Sequence, residues 1–273
     1  MIDLAYFAPV LLAGPVAGAS TGLLGVYVVG MRMPFLGVCV SHAALAGAVF
    51  GALAGLSGPW LLLPALGGSA ATALLLGSLD PHRVRVDGNV MLGVLFTLSM
   101  GLAFLGLGLF SRYGVSDSDV RNLLWGSLAF CRWRDLALMA AVALAEAAFV
   151  AAFYKEMRAI MFSRVEAAAA GVHVALVWTG FLLLTAAVLT VNFQTVGGLM
   201  IYALLANPAA AAFQLTRGHG RAVALSVAFG GISGLGGFVI AAVFDLPTGA
   251  MIVIVSSVLV ALAAVAARRM RRA

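Results

Sequence analysis

Three groups able to bind a cation or carry a charge lie inside or at the ends of long apolar runs of this chain, where such groups are costly to keep and mark pathways or partners. His42 sits in FLGVCVSHAALAG, with Cys39 three residues before it. On a helix that spacing puts imidazole and sulfur on one face. Both are good ligands for zinc-like ions, with Ser41 a weaker third. The same residues also suit a neutral histidine hydrogen-bonded between packed helices, with Cys39 as a small hydrophobe. Glu146, in VALAEAAFV, must be protonated, paired or facing water. It either lines a cation path or bonds a neighbouring helix. Asp245, in VFDLPTGA, stands at a mouth between two apolar runs, where Pro247 and Gly249 turn the chain. It either meets an entering cation or caps the helix that follows. His82, His173 and His219 fall in polar connections and read as ordinary loop histidines.

Other chemistry is missing. The single lysine, Lys155, follows Tyr154, so no phosphate loop of the G-x-x-x-x-G-K-[ST] type exists. HExxH, GxSxG and a dinucleotide GxGxxG are absent in useful context. Cys39 and Cys131 are the only cysteines and form no CxxC, which removes a disulfide framework and a cysteine-rich zinc site. The chain is therefore expected to be no enzyme and to hold no cofactor. If ATP powers it, the hydrolysing site is on another polypeptide.

The elements that must position these residues follow from composition. Of 273 residues, 63% are hydrophobic and 10% charged, against about half and a quarter in soluble domains. Lipid must belong to the solvent. Nine apolar segments can be drawn: Phe7–Gly30, Phe35–Leu56, Pro59–Leu79, Val90–Phe110, Leu136–Tyr154, Val174–Val191, Val196–Phe213, Val223–Phe244 and Pro247–Ala267. The seventh is short, so eight spans are the alternative. Richness in Gly, Ala and Ser lets helix backbones approach closely, and continuous apolar runs exclude a β-barrel. The expectation is an all-α polytopic bundle forming one transmembrane domain over residues 1–273. No basic residue precedes Arg32, so the first run is expected to stay as a span and not to be cleaved as a signal.

The 16 basic residues lie between apolar runs, which is an orientation pattern and not a nucleic-acid patch. Twelve fall on one side: Arg32, Arg83, Arg85, Lys155, Arg158, Arg164, Arg217, Arg221 and the tail Arg268, Arg269, Arg271, Arg272. Four fall opposite: Arg112, Arg121, Arg132 and Arg134. This bias predicts a cytoplasmic C-terminus and an N-terminus outside. Two connections are too long to be simple links. Ser111–Asp135 contains a short apolar piece, Asn122–Phe130, expected to be interfacial or re-entrant. The inner stretch ends in four alanines before Gly171, which predicts a cytoplasmic helix with a glycine stop. It either docks a partner or lies on lipid.

Taken in order, several segments resemble the membrane-spanning permease subunits of bacterial ABC importers for zinc and manganese. They are RMPFLGVCVSHAALAG, NLLWGSLAF, EAAAAGV, VGGLMIYALLANPAA and FDLPTGA, spread over nearly the full length. The resemblance implies two permease copies around a shared path, in the bacterial inner membrane. It also implies two separate ATPase subunits holding the ATP, and a soluble or lipid-anchored metal-binding protein that delivers the ion. It identifies Arg158–Gly171 as the coupling helix, with Arg158, Arg164, Glu166 and Gly171 as docking residues, which decides the helix's role for docking. His42 carries over as a pathway residue. The family's Asp four residues earlier does not, because Val38 stands there. Carboxylate oxygen suits manganese best, so its loss points to zinc, with manganese or iron as the other candidates. Cys39, Glu146 and Asp245 are the remaining transient metal contacts. A carrier driven by an ion gradient would need an acid-rich midplane, and an intramembrane enzyme would need clustered catalytic groups. The chain has neither.

Overall fold

The computed structural model describes residues 4–78, 87–116 and 131–270, with the backbone alone at 4–7, 194, 198 and 199. Among them the regular structure is helical: α1 (Leu4–Gly30), α2 (Leu36–Leu53), α3 (Leu62–Ser78), α4 (Gly88–Tyr113), α5 (Trp133–Ala152), α6 (Tyr154–Phe162), α7 (Arg164–Ala169), α8 (Val174–Val196), α9 (Gly198–Leu215), α10 (His219–Phe244) and α11 (Thr248–Met270). A short 3-10 turn, Gly58–Leu61, leads into α3. All nine apolar segments of the sequence are helices. Eight of these are long and apolar enough to cross a bilayer, and α9 supplies the shorter one. The Asn122–Phe130 piece lies outside the described residues, as do His82, Arg83, Arg85, Arg121, Arg271 and Arg272.

Backbone proximity holds the bundle together, because side-chain burial alone gives little net attraction between helices in lipid. Along α1, Gly14, Gly18 and Gly22 face Gly234, Gly230 and Ser226 of α10, with the helices antiparallel. A Cβ at Gly18 would run into the Gly230 carbonyl, and one at Gly230 into that of Gly18. Ser226 Oγ closes the seam by donating to Gly22 O at 2.6 Å. Gly47 and Gly68 bring α2 and α3 together in the same way. Polar pins join the other helices: Asn192 Nδ2 to Ser20 Oγ at 3.0 Å, Thr190 Oγ1 to Ser69 Oγ at 2.8 Å, and Asn207 Nδ2 to Ser256 Oγ at 3.0 Å.

Helices α1, α2 and α8 occupy the centre, whereas α4, α5 and α11 present mostly outward faces. On α4 the residues Val90, Val94, Leu98 and Leu105 are exposed, the pattern of a helix meeting lipid along one side. Helix ends are finished by local chemistry. Asp87 accepts from Asn89 N at 2.8 Å to start α4, and Gly114 (φ 64°) ends it in the left-handed region. The Asp135 carboxylate accepts from Arg132 N at 3.0 Å at the start of α5.

Candidate ion path and docking surface

α2 positions His42. The ring Nδ1 lies 2.8 Å from the carbonyl oxygen of Val38, one turn back. A carbonyl only accepts, so Nδ1 carries the proton and, in the neutral ring, Nε2 keeps a free lone pair. A metal-binding histidine is commonly oriented in this way, with the second nitrogen donating to a carbonyl. The ring stands edge-on to Phe96 of α4, with centroids 5.0 Å apart, and the residue is half-buried.

Cys39 does not join it. The thiol is 0% exposed and packed in the main apolar core. Cys39 and His42 share a helix face in the broad sense of their spacing, but one turns into the core and the other toward a half-open edge. Ser41 is also buried, and its hydroxyl has no hydrogen-bond partner among the described residues.

Glu146 lies on α5, which packs chiefly on α8 and α1. It is 1% exposed, and neither carboxylate oxygen has a hydrogen-bond partner among the described residues. Its position is thus an enclosed one. Asp245 ends α10 in the left-handed region (φ 51°), and its N–H and that of Leu246 both return to the Ala241 carbonyl. It therefore closes the helix before it, where the sequence predicted a cap for the helix after it. The reason is the tight FDLPT turn: the chain reverses hand at position 245, before Pro247 can start α11. Asp245 is exposed. Among the described residues no three His, Cys, Asp or Glu side chains gather as a metal cage.

The predicted single helix over Arg158–Gly171 is instead a pair. α6 ends at Phe162, and Ser163 starts α7 by accepting from Glu166 N at 3.2 Å. The signal was present as Ser163-Arg164-Val165-Glu166, the S-x-x-E start pattern. The predicted glycine stop is there: Gly171 takes φ 86°. Arg164 turns inward, its guanidinium 4.0 Å from the Trp178 ring centroid and its Nη2 donating to Met33 Sδ at 3.7 Å. Arg158 is exposed on α6. Val165, Glu166 and Gly171 are exposed at the tip.

Sequence reasoning missed a contact at this same end. Tyr27 Oη and His219 Nε2 share a hydrogen bond of 3.3 Å, and the Tyr154 ring lies 5.3 Å from the imidazole. His219 is thus tied to α1 and α6 and is no ordinary loop residue. Only a spatial link between residues 192 positions apart reveals this.

The sequence profile described as the ABC 3 transport family matches residues 3–267. The manganese transport system membrane protein MntC of Listeria monocytogenes is 26% identical over 95% of this chain and 90% of its own length. The zinc transport system membrane protein TroC of Treponema pallidum is 32% identical over 87% of this chain and 81% of its own. Among solved structures, PsaBC from Streptococcus pneumoniae in complex with Fab gives a TM-score of 0.79 at 21% identity, covering 94% of this chain and 90% of that one.

Proposed function

The chain belongs to the ABC 3 transport family as a membrane-spanning permease of the zinc and manganese importers, and from that premise we propose that it carries zinc inward past His42. Two copies form the path, each contributing one imidazole near the shared axis. A soluble or lipid-anchored binding protein delivers the ion from outside, and ATPase subunits engage the α6–α7 tip on the cytoplasmic side of the inner membrane. The N-terminus lies outside. The chain binds no nucleotide in this scheme, because ATP is hydrolysed on the partner.

The observation that carries the ion assignment is the bond from His42 Nδ1 to the Val38 carbonyl. It leaves one imidazole nitrogen per copy as a soft, single-point contact. Transit requires weak and reversible binding, which one or two such contacts provide better than a closed four-ligand cage. With Val38 in place of a carboxylate, hard-oxygen ligation at this height is lost, which favours zinc over manganese. Relatives in sequence are named for both ions, so the choice rests on this local chemistry.

The test is ion uptake into vesicles carrying the assembled transporter, with zinc and manganese compared at equal free concentration. His42→Gln is expected to abolish most zinc uptake with abundance and ATPase association intact. Unchanged uptake would move the path away from α2. Manganese outcompeting zinc in the wild type would overturn the ion assignment while leaving the permease reading in place. A carrier driven by an ion gradient receives no support from the family match.

A further inference from the structure

A cavity of about 810 Å³ opens at the end of the bundle that carries the coupling helices. Its walls are the last turn of α1, the length of α6, the end of α9 and the start of α10. Three cationic side chains line it: Arg32, Lys155 and Arg158. His219 and the Tyr154 ring complete the polar side, and no carboxylate is among the lining residues. Phe162, 83% exposed, and Phe213, 37% exposed, are among its apolar lining residues. The cavity therefore combines three basic side chains with a mostly apolar lining.

We propose that this cavity binds the phosphate headgroup of an anionic phospholipid, with an acyl chain against Phe162 and Phe213. Charge fixes the sign of the ligand, because three cations without a facing carboxylate attract an anion. Depth fixes its class. The α1, α9 and α10 walls are terminal turns of long apolar helices, and α6, which carries Lys155 and Arg158, begins directly after the end of α5, so the basic groups stand at the height of membrane headgroups, where a phosphate already attached to hydrocarbon is the most abundant anion. Basic pockets between spanning helices are a recurring way to hold such lipids. Arginine and lysine also divide the work: guanidinium can grip two phosphate oxygens at once, and the ammonium adds a point charge. Some of the polar edge is preorganised. Asn89 Nδ2 donates to the Arg32 carbonyl at 3.1 Å, which fixes the turn that carries Arg32, and Tyr27 holds the His219 ring. A lipid there would bridge α1, α6 and α10, and so join the coupling helix to the bundle.

The experiment uses the purified full-length permease in mild detergent, titrated with phosphatidylglycerol or phosphatidylcholine of identical acyl chains. Bound lipid is counted by native mass spectrometry. Each basic side chain beside a phosphate is worth roughly fivefold in affinity. Lys155→Gln with Arg158→Gln should therefore weaken phosphatidylglycerol retention by roughly 25-fold. Arg217→Gln with Arg221→Gln removes the same charge outside the cavity and should change it little. Equal retention of the two lipids by the wild type overturns the proposal and needs no variant. So does equal competition by inorganic phosphate, which would reveal an anion site with no use for hydrocarbon. Loss of the lipid when the ATPase is added would assign the cavity to acidic side chains of that partner instead.

Discussion

His42 and Cys39 are neighbours in sequence with opposite expected behaviour. Cys39 is enclosed in the core, so Cys39→Ala removes one packed atom and costs about 1 kcal/mol of stability. Zinc uptake in vesicles should then stay within about twofold of wild type, since the thiol cannot meet a passing ion without repacking of the core. A tenfold loss in a folded Cys39→Ala protein would return sulfur to the path. His42→Gln instead removes the free imidazole nitrogen and should lower uptake by about tenfold or more. The candidate pair was legible in the sequence because helical spacing is simple. Which member faces the core was not, because that depends on where α4 and α8 press against α2. Glu146 gives the same lesson. Its isolation within an apolar run was plain, but its enclosure follows only from the packing of α5 on α1 and α8.

At the scale of elements, a pair of helix contacts makes sharp predictions. The α1–α10 seam leaves no room at Gly18, where any Cβ meets the Gly230 backbone carbonyl. Gly18→Ala must push apart helices that touch along three positions, so it should lower the yield of folded protein by size-exclusion analysis and cost about 1–3 kcal/mol of stability. Gly101 has open space beside it, and Gly101→Ala should be tolerated or mildly stabilising, by about 0.5–1 kcal/mol. An equal effect at both positions would mean the seam is not under close contact. The α6–α7 segment gives the second case. Arg164 is committed to Trp178, so Arg164→Ala should loosen the permease itself by about 1–2 kcal/mol, a desolvated cation–π contact. Glu166 and Gly171 stand exposed at the tip. Replacing both should leave the permease in the membrane while ATP hydrolysis runs uncoupled from uptake. Normal coupling in that double variant would remove the docking assignment. Sequence showed the alanine run and its glycine stop, and the S-x-x-E break within it was readable too. The inward turn of Arg164 was not, because Met33 and Trp178 come from distant stretches of the chain.

For the whole molecule, the number of crossings decides which termini share a side of the membrane. The described helices pair as an alternating bundle requires: α1 with α10 and α2 with α3 run antiparallel, while α2 and α4 run in the same direction. Counting α9 as a full crossing gives nine passes and puts the two ends of the chain on opposite sides. An excursion of α9 that returned to its own side would give eight, with both ends together. Charge supplies the direction. Arg32, Lys155, Arg158, Arg217, Arg221, Arg268 and Arg269 are on one side of this arrangement, against Arg112, Arg132 and Arg134 on the other. Basic residues favour the cytoplasm. Single cysteines at exposed positions 112 and 217, in a chain with both native cysteines replaced by alanine, can therefore read the topology. The thiol of Cys131 is buried and is pushed up to about 11 by that burial and by the nearby Asp135 carboxylate. It stays protonated and slow toward maleimide at neutral pH. In intact cells an impermeant maleimide should label Arg112→Cys and spare Arg217→Cys, which should react only once the membrane is opened. A third cysteine at Met270, 58% exposed, should behave like position 217. Labelling of both Arg217→Cys and Met270→Cys from outside, with Arg112→Cys labelled as well, would reduce the count to eight and make α9 a re-entrant segment. Reversal at all three positions would keep nine crossings and invert the molecule, moving the α6–α7 tip out of reach of any cytoplasmic ATPase.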